Sequence, residues 1–110
     1  MGAEAAGVAC ALKTDKGNIF TGVCIDVPCG IGFCAEHSAI AAMITAGETA
    51  IDTIVAVDWD KSILSPCGRC REFMYLIDDK NKNTTVIMPE GKIMPLHVLL
   101  PNHWFEQKAA

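Results

Sequence analysis

Apolar residues run from Gly7 to Thr14 and again through Asn18 to Ile25, separated by the polar cluster Thr14-Asp15-Lys16-Gly17-Asn18. Two β-rich runs joined by such a turn signal predict a hairpin. Gly30 and Gly32 mark a loop, after which Cys34–Ala46 is small and apolar nearly all round (Ala35, Ala39, Ile40, Ala42, Met43, Ile44, Ala46). That stretch predicts a helix stopped by Gly47 and buried on most sides. Asp52 to Asp58, with Thr-Ile-Val-Ala-Val at its centre, predicts a buried strand. A second helix is expected from Pro66 to near Asp79, with Phe73, Leu76 and Ile77 on one face. Pro66 suits its first turn, where a missing N–H costs nothing. Thr84 to Met88 reads as a short strand, and Pro89-Glu90-Gly91-Lys92 turns the chain into another at Ile93 to Met94. The tail, with Leu99, Leu100, Pro101, Trp104 and Phe105, is too apolar to be a disordered end.

The element order is β-β-α-β-α-β-β, which predicts an α/β sandwich: one five-stranded mixed sheet with helices packed on it, spanning 1–110 as a single domain. The third and fourth strands are joined through a helix and are expected to be parallel. The last two are joined by about four residues, a connection that permits only an antiparallel pair.

Composition narrows the classes of function. A chain of 110 residues, 51% hydrophobic and 20% charged, can bury a real core without disulfide staples. Its positive mean hydropathy leaves more apolar side chains than one small core can hide, which predicts a homo-oligomer. A net charge of −4 argues against nucleic acid as a ligand. Membrane attachment is not expected either, because Glu36, His37 and Glu48 interrupt or bound the longest apolar run. Met1-Gly2-Ala3-Glu4 lacks the order of a signal peptide. The six cysteines are therefore read as reduced thiols in a cytoplasmic protein, serving as ligands or core residues.

The chemistry is concentrated in Cys34-Ala35-Glu36 and Pro66-Cys67-Gly68-Arg69-Cys70. Cys67 and Cys70 lie one helical turn apart at a helix start, and Cys34 stands at the start of the other helix. Two helix N-termini that converge on one point favour thiolates there. Three thiols predict a zinc site with its fourth position open to water. Zinc lowers the pKa of such a water towards about 7, and Glu36 is placed to move its proton. Three thiolates make the site electron-rich, so Arg69 and His37 are expected to offset that charge from outside the ligand set, Arg69 being the better placed. Two other uses of these cysteines stay open: a redox pair at Cys67 and Cys70, and a structural four-cysteine zinc site that also uses Cys29.

These two motifs resemble the signature of the zinc-dependent cytidine deaminases, His/Cys-x-Glu with Pro-Cys-x-x-Cys. The similarity covers nearly the whole chain and is nearest to the small tetrameric cytidine deaminases and the blasticidin-S deaminases. Ser65-Pro66-Cys67-Gly68-Arg69-Cys70-Arg71 is particularly like the blasticidin type. The resemblance implies a cytidine-deaminase-like three-layer sandwich, a homotetramer, Zn²⁺ on Cys34, Cys67 and Cys70, and Glu36 as proton shuttle. It implies that the backbone of Ala35 and the carbonyl of Ser65 hold the edge of an amino-pyrimidine, and that Trp104 or Phe105 closes a pocket, whether its own or a neighbouring subunit's. The chain departs from the family at Cys24-Ile25-Asp26, where nucleoside deaminases carry an Asn-x-Glu pair for ribose; Asp26 stands in the place of the acid. The N-terminal helix common in the family is missing or reduced. The expected activity is hydrolytic deamination of cytidine or a cytosine-nucleoside analogue. The alternatives are a blasticidin-S-like amino-heterocycle and, in another class, a non-catalytic zinc-stabilised binding module.

Overall fold

The hairpin forms where the two β-rich runs place it. In the computed structural model, which describes residues 2–27 and 32–104, β1 (Glu4–Thr14) and β2 (Ile19–Asp26) pair antiparallel. Gly17 takes φ +85 in the turn, and the Thr14 hydroxyl accepts the Asn18 N–H at 3.2 Å. β1 begins earlier than Gly7, and its pairing slips between Ala5 and Ala9, where Ala6 has φ 68.

The chain then forms α1 (Ala35–Thr45), β3 (Ile51–Asp58), β4 (Ile63–Leu64), α2 (Gly68–Ile77), β5 (Thr85–Ile87) and β6 (Ile93–Pro95). The sheet order is β2-β1-β3-β5-β6, with β4 paired to β3. As expected, β3 and β5 are parallel and β5 and β6 antiparallel. The two-residue β4 was not foreseen. It is too short to show alternation, and it exists because the Asp58–Ser62 turn folds the chain back onto β3.

Cys10, Leu12, Cys24, Ile54 and Val86 point from the sheet into one cluster with Ala39, Ile40 and Met43 of α1 and Met74 of α2. Both helices therefore lie on the same face of the sheet. Ala9, Ala11, Thr21, Val23, Val55 and Val57 lie on the opposite face, around a shallow apolar depression.

The helices differ from expectation in what they bury. α1 buries one side only, through Ala35, Glu36, Ala39, Ile40 and Met43; Ala41, Ala42 and Ile44 are exposed. Sheet contact can cover only one stripe of a helix, so its all-round apolarity is not satisfied by the described residues of one chain. α2 buries Cys70 and Met74, while Leu76 is exposed. Pro66 precedes the N-cap Cys67 instead of entering the helix.

Two contacts set where the helices sit. At Gly22 of β2, a Cβ would collide with the Ala39 backbone nitrogen, and the Ser38 hydroxyl donates to the Val23 carbonyl at 2.7 Å. Only glycine lets α1 approach the strand so closely. Beyond α2, fully buried Asn81 accepts the Ile51 N–H at 2.8 Å and donates to the carbonyls of Thr49 and Met74 at 3.0 and 2.9 Å. It thereby fixes the end of α2 to the start of β3.

Candidate metal centre

Cys34 and Cys67 are the N-cap residues of α1 and α2, both in extended backbone conformation. Each sulfur thus stands beside the unpaired N–H groups of a helix start, where negative charge is favoured. One turn into α2, Cys70 points back to the same place. The Cys34 and Cys67 sulfurs are 3.6 Å apart, and those of Cys67 and Cys70 are 3.3 Å apart. A tetrahedral zinc with Zn–S bonds of about 2.3 Å requires sulfur separations of about 3.8 Å. The Cys34–Cys67 and Cys67–Cys70 separations are therefore within about half an ångström of that spacing.

His37 comes closer than its expected role outside the ligand set. Its Nδ1 lies 3.3 Å from the Cys70 sulfur, and the donor atoms of Cys34, His37 and Cys70 all lie within 4.8 Å of one another. The ring stacks on Phe73, centroids 4.4 Å apart and 9° from parallel, which fixes its direction. Arg69 is exposed and lines the cavity beside Cys67. Among the described residues, the hydrogen-bonding contact to the Cys70 sulfur from outside the cysteines and Glu36 is made by His37.

Glu36 is one residue past the α1 N-cap and is buried. The Cys70 thiol donates to its Oε2 at 2.9 Å. Burial, followed by this hydrogen bond, pushes the Cys70 thiol far above its ordinary pKa. Burial also raises Cys34, with the hydrogen bond to Cys67 adding to it. At Cys67 burial works the same way, but hydrogen bonds from the Cys70 amide and from the Cys70 and Cys34 thiols outweigh it and lower the pKa. Cys67 is thus the first of the three to ionise. Below the site, burial and then the nearby Glu36 charge push the core thiol Cys10 up to about 12. That value fits Cys10 as an inert core residue.

A cavity of about 380 Å³ opens over the centre. Cys34, Ala35, Glu36, Leu64, Ser65, Cys67 and Arg69 line it together with Val8, Cys24, Asp26, Val27, Gly32 and Phe33. Of the expected substrate-contact residues, Ala35, Ser65 and Asp26 meet here. Trp104 does not line this cavity; it is half exposed, and its N–H donates to Glu72 at 3.1 Å. Phe105 and Cys29 lie outside the described residues. Sequence reading missed Val8, Phe33 and Leu64, apolar residues whose types carry no chemical signal. The Cys-x-Glu-His run held the cue to His37, since a residue one turn past Cys34 shares its side of the helix.

The loop that carries Cys67 is braced by Arg71. Arg71 donates from Nε to the Pro66 carbonyl at 2.8 Å and from Nη1 to the Leu99 carbonyl at 3.1 Å, tying the Ser65–Cys67 loop to the C-terminal segment.

Comparison with known proteins agrees with this geometry. The family profile of the cytidine and deoxycytidylate deaminase zinc-binding region matches residues 3–86. A blasticidin-S deaminase from Bacillus cereus is 40% identical over 97 residues, covering 79% of this chain and 67% of that protein. A cytidine deaminase from Mycobacterium tuberculosis is 34% identical over 68 residues, 61% of this chain and 51% of that protein. The crystal structure of cytidine deaminase from Mycobacterium leprae superposes with a TM-score of 0.79 at 30% identity, covering 86% of this chain and 78% of that one. The chain thus matches about half the length of one curated relative and two thirds of another. By the zinc-binding profile, the shared fold and a thiol centre dimensioned for zinc, the chain belongs to the cytidine and deoxycytidylate deaminase family.

Proposed function

We propose that the protein is a zinc-dependent hydrolytic deaminase acting on cytidine or a cytosine-nucleoside analogue. The observation that carries this reading is the buried Glu36 carboxylate, 2.9 Å from a ligand sulfur and on the wall of the cavity. Cys34, Cys67 and Cys70 would hold the zinc, which when bound would supply the Lewis acidity that makes water a nucleophile near neutral pH. As a zinc ligand Cys70 would be ionised and would no longer donate to Glu36 Oε2, which would free that oxygen to take a proton. Glu36 then accepts a proton from the attacking water and returns it to the heterocycle. The water oxygen bonds to the amino-bearing ring carbon; its remaining proton passes through Glu36 to the amino group, the carbon–nitrogen bond breaks, and ammonia leaves as the oxygen becomes the ring carbonyl. Backbone groups of Ala35 and Ser65 hold the pyrimidine edge.

A second reading takes blasticidin S as the substrate. The 40% identity to the Bacillus cereus enzyme favours it, as does the Cys24 and Asp26 pair on the cavity wall. Ammonia release from cytidine, deoxycytidine and blasticidin S by the zinc-loaded protein decides between the two. Inactivity on all three, with zinc bound, would turn the site into a binding module.

The assembly is proposed to be a homotetramer, supported by the exposed apolar side of α1 and by exposed Phe33 and Trp104. Trp104 then serves a neighbour's cavity. A monomer by light scattering would contradict this. Residues 1–110 are taken as one domain. A cytoplasmic location is supported by five free thiols among the described residues.

A further inference from the structure

The two helix starts carry matching pairs of donors. In α1 the N-cap is Cys34 and the third helical residue is His37; in α2 the N-cap is Cys67 and the third is Cys70. The backbone of each pair is alike, with an extended N-cap whose carbonyl accepts the N–H four residues on, from Ser38 at 3.3 Å and from Arg71 at 3.1 Å. Cys-x-x-His on one helix and Cys-x-x-Cys on the other are together the donor set of a closed site of three cysteines and one histidine. The distances agree. With Zn–S of about 2.3 Å and Zn–N of about 2.0–2.1 Å, a tetrahedron holds sulfur and nitrogen about 3.6 Å apart. His37 Nδ1 is 3.3 Å from the Cys70 sulfur, a departure of the same size as those of the two sulfur pairs. The donor atoms of Cys34, His37 and Cys70 all lie within 4.8 Å of one another. Cys70 Sγ is the one hydrogen-bonding partner of the His37 ring among the described residues, and the stack on Phe73 holds the ring there.

We propose that His37, through Nδ1, is the fourth ligand of the substrate-free metal centre. This rests on the zinc centre of the deaminase reading and gives that centre a resting state: the position left to water is held by the ring, and water enters by replacing it. Charge favours the arrangement. Three thiolates and a zinc dication leave a single net negative charge, and a neutral imidazole adds nothing to it. The substrate space also stays free. Glu36 and Arg69, the second residues of the two helices, line the cavity, whereas His37 and Cys70, the third, do not. His37 can therefore close the centre without filling the cavity.

The test reads the metal–nitrogen bond itself. The full chain, labelled with ¹⁵N at its three histidines, is loaded with ¹¹³Cd²⁺, a dication that thiolate sites accept in place of zinc. In the native protein without substrate, one histidine nitrogen should split by scalar coupling to ¹¹³Cd. The splitting should vanish in His37→Gln and persist in His97→Gln and in His103→Gln, which assign it even if His37→Gln fails to hold the metal. Zinc affinity, read by competition with a chelator, should fall at least about tenfold in His37→Gln. Cadmium held at one per chain with no histidine coupling, a coupling that survives His37→Gln, no cadmium bound by the native protein, or zinc affinity in His37→Gln within about threefold of native overturns the proposal. Ammonia release from cytidine and blasticidin S, measured separately, judges the deaminase reading. An active enzyme without the coupling loses this inference alone, and an inactive protein with it keeps the closed centre and loses the deaminase reading.

Discussion

Gly22→Ala is a small change that should reach the metal centre through the fold. The added Cβ would lie 2.5 Å from the Ser38 Cβ, where ordinary contact begins at 3.4 Å, and it would also strike the Ala39 backbone. Backbone cannot swing aside like a flexible side chain, so α1 must lift from β2 by about 1 Å, the difference between 2.4–2.5 Å and the 3.4 Å of ordinary contact. Overpacking of this kind costs about 1–3 kcal/mol, and the Ser38 hydrogen bond to Val23 adds about 1 kcal/mol if it breaks. Cys34 and Glu36 travel with α1, whereas Cys67 and Cys70 stay with α2. A misplacement of about 1 Å between reacting groups costs up to about a hundredfold in rate. Thermal unfolding reads the stability term, and ammonia release at saturating zinc reads the rate term. Gly68→Ala adds the same carbon where nothing lies within 4 Å and serves as control. Native stability and native rate in Gly22→Ala would refute the reasoning that this contact sets the position of α1.

Two further outcomes follow from buried polar groups. Asn81→Leu keeps the volume but strips the Ile51 N–H and the Thr49 and Met74 carbonyls of their partners; at about 1–3 kcal/mol per buried orphan, a loss of about 3–5 kcal/mol is expected in chemical denaturation, and a loss below about 1 kcal/mol would contradict it. Glu48 is buried against the hairpin turn, and hydrogen bonds from Thr14 and then Asn18 hold its carboxyl below the ordinary 4.5. Because the folded pKa is depressed, its stabilisation is complete above pH 4.5 and is lost as pH falls through the lower, folded value. Glu48→Gln should flatten the acid limb of a stability–pH curve, and an unchanged limb would remove Glu48 from that account.

That Cys34, Cys67, Cys70 and Glu36 come together was legible because each chemistry needs a particular residue type at a particular spacing, and the helix starts that carry them have their own signals. The parallel and antiparallel pairings were legible from connection length. β4 was not, since two residues carry no periodicity, and the apolar cavity wall of Val8, Phe33 and Leu64 comes from three distant segments that only the tertiary fold joins. The exposed side of α1 shows a different limit. Its apolar residues announce burial but not the surface that buries them. His37 was visible as a neighbour of Glu36, yet its approach to Cys70 depends on the stack against Phe73 of the other helix.

The central claim is that Glu36 moves protons at a zinc site built by Cys34, Cys67 and Cys70. Its most direct test is ammonia release from the preferred substrate by Glu36→Gln, with zinc measured in the same samples. The account predicts about one zinc per chain in both proteins, because the acid is not a ligand, and a rate lower by at least about a thousandfold in the variant. A variant that keeps its zinc and deaminates within about threefold of the native rate would contradict it.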